Sequence, residues 1–229
     1  IIYNYNNNNI MNTLEEQIIL SRKTLIEMLT DRGYITSNIV SELPDTLFEQ
    51  LWSTFTNESN IFDIECENNI GNRIYVTYIR NHILSKKKKN KKIVSLQKIH
   101  KNLLQTQDLL RTDNILYVIC DTQSEQVLET YEEFLKKNKN VELFDIKRLL
   151  FNITKHYYVP KHTLLNKKKV QLIKNSLQIS SIYKLPVISH TDPVARYYNL
   201  KRGDVVQITR VSPSYGKHIT YRVCSDIEE

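Results

Sequence analysis

The sequence predicts an α+β protein in two parts: a mixed α/β N-terminal domain over residues 13–153 and a small α+β domain over 154–229. Three observations lead there. A continuous apolar run, Ile115 to Cys120, is followed by a helical pattern from Ser124 to Lys137 and a second apolar run from Val141 to Phe144. That order and spacing fit a βαβ crossover. Near the end of the chain, Val205–Arg210 and His218–Val223 flank a Pro-Ser-Tyr-Gly turn, the pattern of a hairpin. Thr13-Leu-Glu-Glu16 opens the structured chain with a capping box.

Taken in order, the capping box starts a helix on which Leu14, Ile18, Leu25 and Leu29 recur at helical spacing, and Gly33 is placed to end it in a left-handed conformation. A second helix follows Pro44-Asp45, with Leu47, Phe48, Leu51, Trp52 and Phe55 as its apolar side. Ile61–Cys66 and Arg73–Ile79 read as strands around a turn at Asn68–Gly71. Lys86-Lys-Lys-Lys-Asn-Lys-Lys92 is a basic loop, either a solvated surface or a phosphate-facing patch. Ile93–Leu104 is helical in pattern, and on the helix Ser124–Lys137 the inward residues are Val127, Leu128, Tyr131 and Leu135. Leu149–Ile153 is a further strand candidate.

In the C-terminal part, Asn166 is placed to cap a helix with Val170, Ile173 and Leu177 on one face. Asp192-Pro193 supplies a cap and a first-turn proline for another helix, and Asn199 tolerates the left-handed turn that ends it. In the hairpin, Val206 and Ile208 share one face, and Ile219, Tyr221 and Val223 another.

Composition bounds the function. With 41% hydrophobic and 25% charged residues, and only four glycines and five prolines, the 229 residues suit an ordered globular protein. Residues 1–12, Asn-rich and ahead of or including Met11, read as a disordered leader. No apolar run approaches the roughly 18 residues of a membrane span, and no signal peptide is evident. Cys66, Cys120 and Cys224 lie far apart with no CxxC pair, which argues against zinc and against a disulfide framework. Cys120 and Cys224 end apolar runs and read as core. The net charge of +7 points to an anionic partner, or only to lysine-rich coding bias.

Several ordered motifs carry a family resemblance. His156-Tyr-Tyr-Val-Pro-Lys-His162 resembles the opening motif of the fifth-largest subunit shared by eukaryotic nuclear RNA polymerases, a family with an archaeal counterpart. Asp192-Pro-Val-Ala-Arg-Tyr-Tyr-Asn-Leu-Lys-Arg-Gly203 resembles its second motif; Asp204-Val-Val-Gln-Ile-Thr-Arg210 and Ile219-Thr-Tyr-Arg222 continue and close it. Tyr157 and Tyr158 stand where that family has an acidic residue and Leu, and Asn199 where it has a small residue. Asp31-Arg-Gly-Tyr34 and Arg73-Ile-Tyr-Val-Thr-Tyr78 resemble the N-terminal half of the eukaryotic or large DNA-virus form.

The resemblance implies a jaw domain, restriction-endonuclease-like in fold, near downstream double-stranded DNA, and an assembly domain docked on the largest polymerase subunit. It implies no catalytic residue, cofactor, metal or homo-oligomer of its own. On that reading His156, Pro160, His162, Asp192, Pro193, Gly203 and Tyr221 are structural. Arg196, Lys201, Arg202, Arg210 and Arg222 are candidates for partner contacts, because a guanidinium pairs carboxylates in a plane; Arg222 could equally pair within its own hairpin. Thr122, Gln123, Ser124 and Lys86, Lys87, Lys88 and Lys89 are candidates for DNA proximity, with a simple helix cap as the competing role for the first three. A cellular member would be nuclear; a viral one, which the biased composition favours, would sit in the virion and host cytoplasm.

Two other classes compete. Asp121 with Asp145-Ile-Lys147 makes the D…DxK pattern of magnesium-dependent nucleases. A free-standing DNA-binding regulator would follow from charge alone.

Overall fold

The computed structural model describes residues 13–39, 51–52, 62–80, 96–106, 109, 113–120, 125–212 and 216–225, without the side chains of 106 and 125–130. The chain divides into two compact units at Phe151/Asn152. Each contains its own four-stranded sheet, so the fold is mixed α+β.

The N-terminal unit begins with α1 (Leu14–Asp31). Thr13 Oγ1 accepts the Glu16 N–H at 3.3 Å, and Glu16 reaches back to the Thr13 N–H at 3.1 Å, completing the capping box. Gly33 ends the helix with φ +87°, a conformation that costs glycine no Cβ clash. β1 (Ile64–Glu67) and β2 (Arg73–Ile79) pair antiparallel. Their turn is held by Asn68, whose Oδ1 accepts the N–H groups of Ile70 and Asn72 at 3.0 and 2.9 Å. α2 (Leu96–Thr106) precedes β3 (Asn114–Ile119), α3 (Glu125–Lys137) and β4 (Val141–Asp145).

β2, β3 and β4 run parallel, so β3–α3–β4 is the expected crossover. β2 and β3 are buried along nearly their whole length, as central strands between two helical layers must be. Tyr75, Ile79, Ile115, Tyr117 and Ile119 meet Leu96 and Leu103 of α2 and Tyr131 and Phe134 of α3 on one face. On the other face Tyr78 meets α1, its hydroxyl 3.1 Å from Ser21 Oγ. Ile18, Leu25 and Leu29 are buried as their spacing predicts.

The strand expected at Leu149–Ile153 is absent. Two 3₁₀ helices, Ile146–Leu149 and Ile153–Lys155, occupy this stretch. The reason is local. Asp145 and Asn152 each turn a side-chain oxygen onto the N–H two residues on, at 2.9 Å in both cases. That starts a tight turn rather than an extended chain. Ile146 and Leu149, three apart, then bury on the same side of a 3₁₀ turn.

The C-terminal unit has the strand order β5-β7-β8-β6: β5 (Lys161–Leu164), β6 (Val187–Ile188), β7 (Val205–Ser212) and β8 (Gly216–Cys224). α4 (Lys167–Ser176) is capped by Asn166 Oδ1 accepting the Lys169 N–H at 2.9 Å. α5 (Pro193–Tyr197) is capped by Asp192. Both faces of the sheet are covered at one end. Val206, Ile208, Cys224 and Ile188 pack with Ala195 and Leu200 on one side; Val205 and Val223 pack with Leu165, Leu185, Val170 and Ile173 on the other.

Leu177, expected on the inner face of α4, is instead the C-cap residue and 48% exposed. Gln178 takes a left-handed φ of 52°, and Ile179 turns inward in its place. Ile219 has the register expected of it but is exposed, because the covering helices do not reach the hairpin tip. All three cysteines are free and buried.

The leader 1–12, the helix after Pro44 except the helical Leu51 and Trp52, the basic loop 86–92, Ile93, Asp121, Thr122, Gln123, Ser124 and the hairpin turn 213–215 lie outside the described residues, as do the side chains of Val127 and Leu128.

Candidate functional site

The register of the C-terminal sheet decides which predicted residues meet. His162 pairs with Ile208 and Ile208 with Thr220; Leu164 pairs with Val206 and Val206 with Arg222; Arg210 pairs with His218. Directly opposed residues share a face. One face therefore carries His162, Leu164, Arg210, His218, Thr220 and Arg222, beyond the part that α5 covers. Two of the predicted contact residues, Arg210 and Arg222, lie on that face, and both side chains are exposed.

Several bonds order this face. His162 donates from Nδ1 to the Pro160 carbonyl at 2.7 Å, which fixes both residues at the entry to β5. Burial holds the His162 imidazole below its ordinary value, and the charges of Arg222 and Arg210 add to this; the Pro160 carbonyl and Asp192 oppose it. The two guanidinium charges thus act on His162 in the same direction as its burial. Arg222 donates from Nη1 to the Val187 carbonyl of β6 at 3.3 Å, so it is tied to the neighbouring edge strand.

The other predicted residues lie apart from this face. Asp192 Oδ1 accepts the N–H groups of Val194 and Ala195 at 2.8 and 3.3 Å, with Pro193 at the first helical position, as a cap should. Arg196 is half-buried on α5. Asn199 ends α5 with φ 50°. Lys201 and Arg202 are exposed in the α5–β7 turn, where the Lys201 N–H donates to Asp204 Oδ2 at 2.7 Å and Lys201 Nζ to Asn199 Oδ1 at 2.6 Å. Gly203 has φ +91°, a conformation that strains any residue with a Cβ, while a Cβ there would only touch the Tyr183 hydroxyl at 3.4 Å. Tyr221 packs beneath α4 on the opposite face. His156 is exposed and accepts the Tyr158 N–H on Nδ1 at 3.3 Å.

Asp145 and Lys147 are close, but the bond between them is a cap: Asp145 Oδ1 accepts the Lys147 main-chain N–H. Among the described residues no group of three or more His, Cys, Asp or Glu is arranged to hold a metal.

Residues 151–224 match the family described as RNA polymerase Rpb5, C-terminal domain. Over 211 residues the chain is 31% identical to DNA-directed RNA polymerases I, II, and III subunit rpabc1 of Dictyostelium discoideum, covering 91% of this chain and 97% of that one. The chain belongs to the Rpb5 family. Its members are non-catalytic subunits of multisubunit DNA-directed RNA polymerases, so the D…DxK pattern is not the mark of a nuclease here. Over 211 residues the chain is likewise 31% identical to DNA-directed RNA polymerases IV and V subunit 5B of Arabidopsis thaliana, covering 90% of this chain and 88% of the relative. Matches of that length take in both units, so the Rpb5 likeness extends through the N-terminal half.

One feature legible in the sequence is missed by motif and periodicity alone. Residues 152–229 hold 13 Lys and Arg against five Asp and Glu, whereas residues 1–151 hold 19 against 20. The whole positive excess of this Rpb5-family chain lies in the C-terminal unit. Counting charge by half finds it.

Proposed function

We propose that this Rpb5-family chain assembles into its polymerase by docking the C-terminal unit on the largest subunit. The N-terminal unit would then form part of the jaw beside downstream DNA. The observation that carries the docking is the convergence of Arg210, Arg222 and His162 on one sheet face. Guanidinium groups on one face, with the partly exposed Leu164 on its β5 edge, have the chemistry of a protein interface: Arg pairs carboxylates bidentately while apolar surface excludes water. Arg196, Lys201 and Arg202 extend the contact from α5 and its following turn.

For the jaw, the mixed sheet with helices on both faces supports the restriction-enzyme-like architecture. Its near balance of charge supports a supporting role beside DNA rather than tight binding. The segments 86–89 and 122–124 are the parts we assign to the DNA side. A free-standing DNA-binding regulator would concentrate its cations on the element that meets the duplex.

The test is co-expression of the full chain with the largest subunit of its own polymerase. Stable co-purification, with weak duplex binding by the isolated chain, is expected. Failure to co-purify, together with tight and steeply salt-dependent duplex binding by the chain alone, overturns the reading.

A further inference from the structure

From Ile146 to Thr191 the chain carries nine Lys and Arg residues and not one Asp or Glu. Across residues 152–225 of the C-terminal unit, 13 cations face two carboxylates, Asp192 and Asp204. Both carboxylates accept main-chain N–H bonds, one capping α5 and the other closing the α5–β7 turn. Even with Asp226, Glu228 and Glu229 the unit holds five carboxylates against 13 cations, so negative charge on a partner's surface would complement it.

Within this stretch stands an aromatic pair. Tyr157 is 91% exposed and Tyr158 83%. Exposed loop rings of this size are ordinarily mobile, but this loop is built to hold still. Asn152 is the post: its Nδ2 donates to the buried Tyr197 hydroxyl at 2.9 Å, and its Oδ1 accepts both the Thr154 N–H at 2.9 Å and the Thr154 hydroxyl at 2.6 Å. The Lys155 N–H returns to the Asn152 carbonyl at 3.0 Å, the His156 N–H to Ile153 at 3.2 Å and the Val159 N–H to His156 at 2.9 Å. Pro160 then restricts Val159 to extended backbone. The rings are therefore presented on an ordered turn, which removes much of the ordering cost that binding would otherwise carry. Lys155 and Lys161, both exposed, flank the turn.

We infer that the Tyr157–Tyr158 turn is an aromatic anchor that seats in an apolar pocket rimmed by carboxylates on the polymerase's largest subunit. This rests on the docking reading and names the chemistry of the partner's surface. Tyrosines on a preordered loop, flanked by Lys155 and Lys161, are the composition of an interface centre. Ring geometry favours a protein over single-stranded nucleic acid. The two rings meet edge to face, at 5.2 Å and 78°. A base column needs platforms that lie parallel, and in this arrangement the pair does not offer two of them to one strand.

The experiment uses the full chain and the separately purified largest subunit of its own polymerase. The dissociation constant is measured over a range of salt for the wild type, Y157A/Y158A, Y157F/Y158F and K155Q/K161Q. Binding of oligo-U RNA and oligo-dT is measured alongside. We expect the alanine pair to bind the subunit about tenfold or more weakly with its thermal melt unchanged, since the rings stand in solvent. The phenylalanine pair should stay within about threefold, because the ring rather than the hydroxyl fills the pocket. The glutamine pair should flatten the salt dependence. Unchanged affinity of the alanine pair overturns the inference. So does loss of oligonucleotide binding with subunit affinity intact, which would make the rings a nucleic-acid platform. A wild type that never binds the subunit sinks the docking reading itself, and this is distinguishable from a wild-type complex indifferent to the rings.

Discussion

In the N-terminal unit cations meet carboxylates inside the structure; in the C-terminal unit they outnumber them on the surface. Arg32, the C-cap of α1, forms a bidentate pair with Glu142 on β4, both bonds 2.9 Å, with side-chain exposures of 5% and 15%. Arg73 pairs with Glu65 across the β1–β2 hairpin and approaches Asp113 at 3.8 Å. Tyr75 donates to Asp63 at 2.6 Å. The N-terminal unit uses charge to bind its own layers together. The C-terminal unit spends its two described carboxylates on caps. Its first turn of α4 even holds Lys167, Lys168 and Lys169 at the positive end of the helix dipole, where cations are disfavoured. Those three cations stand at a cost to the unit's own stability.

The largest expected effect tests the internal pairing. Arg32→Ala leaves Glu142 largely buried without its partner and should destabilise the N-terminal unit by about 3–5 kcal/mol. Trp52, the only tryptophan of the chain, lies in that unit, so its fluorescence in a urea titration reads the loss. An Arg32→Met/Glu142→Leu double variant should recover most of it. A single variant as stable as the wild type would break the contrast between the units.

The next effect is a pH dependence confined to the N-terminal unit. Burial pushes the Asp63 carboxyl up to about 7, against the pull of its hydrogen bonds from Tyr75 and Thr77 and the charge of Arg22. Between the ordinary carboxylate range and about pH 7, the folded unit therefore holds a proton that the unfolded chain has released. The stability from this group is complete below about pH 4 and is lost as pH rises to about 7. It amounts to the order of 3 kcal/mol across that window. Asp63→Asn should flatten the profile of the Trp52 signal between about pH 4 and about pH 7. An equally steep profile in the variant assigns the dependence to other groups.

The smallest effect sharpens the comparison from the other side. Lys168→Glu puts an acid into the first turn of α4 and should stabilise the C-terminal unit by about 0.3–1 kcal/mol, read as a small rise in its melting temperature. An unchanged melting temperature would show that these lysines are simply solvated.

What could be read in the sequence was local. Thr13 and Glu16, Asn68 and Gly71, Asn166, Asp192 with Pro193, and Asn199 each act within four residues, and each takes the predicted role. Apolar runs announced β2 and β3 because strands between two helical layers are buried on both faces. Leu149–Ile153 misled because its apolar content suits a strand, while Asp145 before it and Asn152 within it commit the backbone to tight turns. Leu177 misled because helical period alone does not reveal where the helix stops.

The candidate site was legible as residue types but not as an arrangement. Arg210 and Arg222 were singled out by motif, yet nothing near either announces that a hairpin register turns both to the face of His162. Tyr157 and Tyr158 could be seen to depart from the family pattern; only the bonds of Asn152 to Tyr197 and Thr154 show that their loop is held in place.

The sequence by itself determined the family, the caps and turns, the strand order of the crossover and the gathering of positive charge in one half. These depend on neighbouring residues or on simple counts. The tertiary structure alone decided the pairing of Arg32 with Glu142, the burial that raises Asp63, and the common face of His162, Arg210 and Arg222. Each joins residues far apart in the chain, and contacts at such separation follow from strand register and helix packing, which residue periodicity constrains but does not specify.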